Sequence, residues 1–335
     1  MRLDFLVPGL LPLPSVKNIR DLAPALSQLL TRATRSSTPF ETPEKWVSQC
    51  FGPAESAATF PFAAISAEAE GLADSGARYW LRADPVHLSI NRDRIVLLDA
   101  SQFDITAAES LALIASLQAH FANDHFTISA PHPIRWYIAS DFPVNIRTHS
   151  ISTVRGHSVT GYWFDGPDRA LWQTRLSEIQ MLLHAHPIND ARETAGQLPI
   201  NGVWFWGEGV MPESFPQKYS LIVGRGVIEE GLAKLASAPF VSTSQFLWDD
   251  LPLTSTGNTL VVLDQLDASA TYAEWDEWQT TLKEIEKKWF VPALTKLKKG
   301  QINEIRIHAP ATGSGRIFSA SRLDQLKFWR RAQTI

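Results

Sequence analysis

The residue types best suited to chemistry crowd into one stretch, His186–Gly209, with sequence HPINDARETAGQLPINGVWFWGEG. Arg192 carries a planar fork that suits a phosphate or a carboxylate, and equally an internal salt bridge or a carbonyl clamp. His186, Asn189 and Asn201 add hydrogen-bonding groups nearby in the chain. Asn201-Gly202 reads as a turn, Val203-Trp204-Phe205-Trp206 as a short strand, and Gly207-Glu208-Gly209 as a glycine-rich loop that lets a ligand or another backbone come close. Trp204 and Trp206 alternate on that strand and share a face, where packing and a stacking wall beside a small ligand are both open. The candidate ligand-binding residues are therefore His186, Asn189, Arg192, Asn201, Trp204, Trp206 and Gly207, with Arg192 as the anion contact. An obvious catalytic group is missing from the stretch.

Other clusters read more plainly. His184 and His186 sit at a helix end, where residues two apart face different directions, so a structural or ligand-contacting role outweighs metal binding. Asp264, Asp267, Glu274 and Asp276 suit a divalent cation, but carboxylates also gather at helix starts for the dipole alone. Lys287, Lys288, Lys296, Lys298 and Lys299 fall late in a helix and read as a solvated face. Gly313-Ser314-Gly315-Arg316 reads as a turn more readily than as an anion loop. No phosphate-binding loop, dinucleotide fingerprint, HExxH or GxSxG is present.

The elements that must position these groups follow from apolar periodicity. Leu3–Val7 reads as a buried first strand ended by Pro8-Gly9. Ile19–Thr31 and Pro43–Cys50 read as helices, and Ala54–Leu72 as a helix interrupted by Pro61. Strands are expected at Tyr79–Asp84, Val86–Ile90, Ile95–Leu98, Phe126–Ser129 and Trp136–Ala139. Among them lies a helix, Thr106–Phe121, whose Thr106 and Glu109 have capping-box spacing. Asp168–His184 is a further helix. Beyond the HPIN stretch, strands at Tyr219–Val223, Thr259–Asp264 and Ile302–His308 alternate with helices at Gly226–Ala236 and Ala273–Lys299, the last expected to break at Pro292. The ending SASRLDQLKFWRR reads as a short helix or tail. This alternation implies a parallel or mixed sheet covered by helices.

Bulk properties bound the function classes. The chain has 335 residues, 44% of them apolar and 20% charged, an ordinary globular balance with room for one large domain or two. A net charge of -4 gives no reason to expect nucleic acid. Cys50, the single cysteine, excludes an internal disulfide and a cysteine-rich zinc site. Prolines and Gly9 break the apolar start, which argues against a signal peptide, and no run of about 18 apolar residues suits a membrane span. A cytoplasmic protein is expected.

The pattern HPIN-x-x-R-x-x-x-G-x-x-P-x-N-x-x-W-x-W-G-x-G resembles a stretch of the archaeal-type, cofactor-independent phosphoglycerate mutases of the alkaline phosphatase superfamily. Arg92–Phe121 resembles the domain inserted in those enzymes, and Tyr219–Pro239 a later strand and helix. The chain is more similar still to bacterial proteins of the regulator-of-pathogenicity-factors E type, through the same core, the block His132, Pro133, Trp136, Tyr137 and the ending Phe328–Arg331. The resemblance implies an alkaline-phosphatase-like α/β core, residues 1–75 and 185–335, with an α+β domain inserted at 76–184.

Active members of that family hold two metal ions through Asp and His and use a Ser or Thr nucleophile. Here Val7 is followed by Pro8-Gly9 where the resemblance implies Asp-Gly. Asp264-Gln-Leu-Asp267 lacks the expected histidine, and His308-Ala309-Pro310 replaces an Asp-His pair. The expectation is a non-catalytic relative without a cofactor, regulatory or binding a small phosphorylated or carboxylate ligand, or a protein partner. The alternatives are a phosphomutase using a divalent metal such as manganese, held by Asp4, Asp264, Asp267 and His308, and a purely structural HPIN…WFWG junction whose function lies in a protein interface.

Overall fold

The structure is a computed structural model and describes residues 1–11, 19–37, 41–52, 60–72, 79–248, 257–313 and 315–327. Ser314, residue 76 and the Phe328–Arg331 ending lie outside them. The strands, in chain order, are β1 (Arg2–Leu6), β2 (Thr34–Ser37), β3 (Tyr79–Asn91), β4 (Arg94–Leu98), β5 (Phe126–His132), β6 (Arg135–Ser140), β7 (Gly202–Val210), β8 (Leu221–Gly224), β9 (Phe240–Ser242), β10 (Asn258–Val262), β11 (Glu304–Ala309) and β12 (Arg316–Ser321). The chain folds as two compact units, one of residues 1–52 and 214–335 and the other of residues 53–213.

The first unit is built on a seven-stranded mixed sheet of order β2-β12-β11-β1-β10-β8-β9. Its centre is parallel, with β1 between β10 and β11, and its β12 and β2 edge is antiparallel. A central parallel strand is covered on both faces, which is why Leu3–Val7 is buried throughout. Leu3, Phe5, Val261, Ile305 and Ile307 share a core with Leu26, Leu30, Trp278, Leu282 and Trp289 from helices and the turns that continue them. The helix expected at Ile19–Thr31 is split into Ile19–Leu22 and Pro24–Arg32, because Pro24 lacks an N–H and starts a helix instead of continuing one. The expected break near Pro292 is a π turn, Glu286–Phe290, between helices Trp275–Ile285 and Val291–Lys298. In that turn Glu286 accepts the amides of Ala25 and Leu26 at 2.6 and 3.1 Å, satisfying the exposed start of helix Pro24–Arg32. The region read as a C-terminal short helix or tail starts with the last residues of β12, whose Phe318 and Ala320 fill the core beside β11, and continues into a short 3-10 helix, Leu323–Leu326.

The second unit is an antiparallel sheet of order β4-β3-β6-β5, with β7 also paired to β3. In place of the two expected strands, β3 runs unbroken through Pro85, because Pro85 lies in register with Val203 of β7. Helices Ala107–His120 and Arg169–His184 pack over the sheet through Leu113, Leu117, Trp172, Leu176 and Ile179. The capping box is complete: Thr106 Oγ1 accepts from the Glu109 amide at 3.2 Å, and Glu109 Oε2 accepts from the Thr106 amide at 2.8 Å. The unit boundaries differ from residues 76 and 184, because β7 pairs with β3 from Gly202 to Val210 and joins this sheet.

Candidate functional site

The HPIN stretch forms a helix, Pro187–Thr194, with His186 as its N-cap. Pro187 fits the first helical position, where no amide partner is needed. His186 Nδ1 accepts from the Ile188 amide at 3.2 Å, which places its proton on Nε2, 3.0 Å from Ser116 Oγ. Asn189 is buried; its amide nitrogen donates to the carbonyls of Leu183 and Ile200, and its oxygen accepts from the Ile200 amide at 2.7 Å. Asn201 is not a turn residue. Its side-chain amide bonds both the N–H and the carbonyl of Leu88, at 2.7 and 3.0 Å, and so extends the β3–β7 ladder by imitating a peptide unit.

Arg192 is 3% exposed. Its Nε donates to Leu198 O, Nη1 to Glu109 Oε1 and Nη2 to Asp104 O, each at 2.8 Å. The fork is thus a clamp tying the HPIN helix to the start of helix Ala107–His120. Burial opposes the Glu109 charge, but the Thr106 amide and hydroxyl together with Arg192 hold its carboxyl below the usual range.

The expected Gly207-Glu208-Gly209 loop is part of β7. Gly207 has φ +71, and a Cβ there would lie 3.0 Å from Ala63 N, so the glycine admits the backbone of helix Phe62–Ala69. Trp204 and Trp206 point away from the core that holds Val203 and Phe205. Trp204 Nε1 donates to His149 O at 2.8 Å, and Trp206 Nε1 to Asp84 Oδ2 at 2.7 Å.

That last bond leads to a buried charge cluster that the sequence pattern does not announce. Arg82 donates from Nε and Nη2 to Asp84 Oδ1 at 2.9 and 2.7 Å, and its guanidinium lies 4.8 and 5.1 Å from the ring centres of Tyr137 and Trp206. The Trp136 amide also donates to Asp84 Oδ1. Nearby, Glu208 accepts from the amide and hydroxyl of Thr148. The one local signal is that Arg82 and Asp84 stand two apart on a strand, hence on one face.

The tips of the parallel strands in the first unit are assembled differently. Beyond β1, Gly9 has φ +73, and a Cβ there would lie 2.6 Å from Leu266 O and 2.7 Å from Asp267 Cα. The Pro8-Gly9 turn therefore rests on the backbone that follows β10, and Trp278 Nε1 donates to Gly9 O at 2.9 Å. Asp264 Oδ1 accepts from Arg225 Nε at 2.6 Å. Glu229, at the start of helix Val227–Leu235, is pushed up to about 7 by burial and then by the Asp264 charge. Within the strands, Asp4 accepts from Arg2 Nε at 2.9 Å and lies 3.4 Å from His308 Nε2.

No family model matches the chain. It is 26% identical over 163 residues, 47% of this chain and 40% of the relative, to the probable 2,3-bisphosphoglycerate-independent phosphoglycerate mutase of Geobacter sulfurreducens. It is 23% identical over 120 residues to the 2,3-bisphosphoglycerate-independent phosphoglycerate mutase of Methanosarcina barkeri, covering 35% of this chain and 30% of the relative. The chain is homologous, over part of its length, to cofactor-independent phosphoglycerate mutases. The matched stretches span well under half of those relatives' length. Among solved structures, the PH0037 protein of Pyrococcus horikoshii shares the fold, with a TM-score of 0.54 and 13% identity over 96% of this chain and 87% of that one. The cofactor-independent phosphoglycerate mutase of Thermoplasma acidophilum has a TM-score of 0.46 and 14% identity over 96% and 89% of the two chains.

The donors at the strand tips do not fit a pair of divalent ions. Two-metal sites need several convergent carboxylates or imidazoles per ion. Asp264 shares its carboxylate with a guanidinium, and Asp4 shares its own with Arg2 and His308. Among the described residues no three His, Cys, Asp or Glu side chains are grouped to hold an ion. Asp4 and His308 come together, but Asp264 and Asp267 do not join them in a common set. No helix among the described residues is long and apolar enough to cross a membrane.

Proposed function

We propose that this chain is a non-catalytic, phosphoglycerate-mutase-like protein of the regulator-of-pathogenicity-factors E type, within the alkaline phosphatase superfamily. It acts by binding a small phosphorylated or carboxylate ligand, or a protein partner, and not by turnover. A cytoplasmic setting accords with the single cysteine. The observation that carries the reading is the state of the strand tips: Asp264 is engaged by Arg225, and the turn after β1 is packed onto the Leu266–Asp267 backbone. A guanidinium bound to a carboxylate competes with a cation for the same lone pairs. A hydroxyl nucleophile without such cations is not activated, and the phosphoryl charge is not neutralised.

The test is elemental analysis of purified protein after incubation with manganese, together with a coupled mutase assay on phosphoglycerate. Less than stoichiometric metal and no turnover are expected. Stoichiometric metal with turnover would sink the reading and restore the phosphomutase alternative.

A further inference from the structure

The hairpin joining β3 to β4 has the sequence Asn91-Arg92-Asp93-Arg94, and one side of it faces the segment Gly156–Ser158. Between them lies a cleft of about 580 Å³ lined by Asn91, Arg92, Asp93, Arg94, His157 and Ser158, among others. Small-molecule sites commonly fall at about 300–1,000 Å³. The far wall is fixed by backbone bonds: Gly156 N to Leu97 O at 2.8 Å, Leu97 N to His157 O at 3.2 Å and Val159 N to Ile95 O at 2.9 Å. The ladder thus fixes this wall, while the opposite wall, Asn91–Arg94, is exposed hairpin.

Most arginines of this unit are engaged, with Arg169 an exception. Arg82, Arg135, Arg147, Arg155, Arg175 and Arg192 all carry an ion pair. Arg92 and Arg94 are exposed and have no ion pair among the described residues, although Asp93 stands between them in sequence. Arg92 also occupies the left-handed region at φ +56, where a hairpin favours Gly or Asn. The local backbone preference does not account for an arginine there. Two arginines and a histidine lining the same cleft suit a phosphate. The Asp93 carboxylate repels a bare phosphate and accepts a hydrogen bond from a hydroxyl.

We propose that this cleft binds a hydroxylated phosphate monoester, with Arg92 and Arg94 on the phosphate and Asp93 accepting from a hydroxyl. The inference rests on the ligand-binding half of the function proposed above and is independent of whether the chain turns over a substrate. Calorimetric titration of the full chain with inorganic phosphate, glycerol 1-phosphate and glycerol tests it. Glycerol 1-phosphate binds more tightly than inorganic phosphate, and glycerol alone gives no heat. Arg94→Ala weakens glycerol 1-phosphate binding by about tenfold, the scale of one lost charge-assisted bond. Arg92→Gly does the same while leaving the melting temperature unchanged or higher, because glycine relieves the left-handed backbone. Asp93→Asn tightens inorganic phosphate and erases the preference for the hydroxylated ligand. Unchanged affinity in both arginine variants would place the ligand elsewhere and overturn the cleft assignment while leaving a binding protein. No heat from the parent chain with either phosphate overturns the cleft proposal, and the metal and mutase assays above still decide turnover separately.

Discussion

The Glu229 neighbourhood of the first unit and the wiring of Asp84 and Arg192 in the second treat buried polar groups in opposite ways. In the second, Asp84 accepts from Arg82, the Trp136 amide and Trp206 Nε1, and Arg192 spreads its fork over one carboxylate and two carbonyls. In the first, Glu229 Oε2, Thr259 Oγ1, Gln265 Oε1 and His308 Nδ1 are buried without a hydrogen-bond partner among the described residues. Burial therefore does not distinguish a structural polar group from a chemically available one; saturation does. Arg192 has the composition of an anion site and the wiring of a clamp. Glu229 looks like an ordinary helix-start acid, yet it keeps one oxygen unbonded and a proton it can release near neutrality.

The sharpest way to break this contrast is Asp84→Ala. The substitution leaves the Arg82 guanidinium buried without its carboxylate and orphans Trp206 Nε1. Breaking one side of a buried pair costs about 3–5 kcal/mol. Urea denaturation followed by tryptophan fluorescence checks it, and a loss below about 1 kcal/mol would mean the cluster is more hydrated than its burial indicates. Arg192→Ala is the next largest. It strips the carbonyls of Leu198 and Asp104 and frees Glu109, which is partly exposed. The expected loss is about 2–3 kcal/mol. Glycerol 1-phosphate affinity measured on the same variant, under conditions where it stays folded, should match the parent. Full stability with lost anion binding would reverse the assignment of Arg192 as a clamp.

How much of the molecule is legible in the sequence depends on the range of the interaction. Helix Ala107–His120 is legible because its capping box is closed within four residues. The buried β1 is legible because a central parallel strand needs a continuous apolar run. Arg192 can be singled out, but its role cannot, since Glu109 lies 83 residues away. Gly207 announces a close approach without saying to what; helix Phe62–Ala69 supplies the neighbour. β3 looks like two strands because Pro85 breaks a local pattern that pairing with β7 restores. That same pairing draws β7 into the second unit, a long-range fact with no local trace. The cleft is invisible in the sequence for the same reason: Arg92 and His157 line it together only because β4 pairs with the Gly156–Ser158 segment.

The smallest effect sharpens the contrast from the other side. If saturation separates the two sites, the unsaturated Glu229 titrates in the folded state and leaves a pH signature. Its carboxyl is raised from 4.5 to about 7, first by burial and then by Asp264. Between those two values the folded state holds a proton that the unfolded chain has released. Stability from this group is therefore complete below pH 4.5, falls as the pH rises through the interval and is flat above about 7. The residue as a whole is half-buried although its Oε2 is buried, so the full conversion is discounted to about 1–2 kcal/mol. Glu229→Gln keeps the shape, removes the proton equilibrium and should flatten that slope in the first unit, with a gain in stability at pH 8. Denaturation midpoints of parent and variant across pH 4–8 provide the measurement. Parallel pH profiles would show that the Glu229 carboxyl is not raised in the folded state, and the distinction between the two sites would then fail at the residue that expresses it most directly.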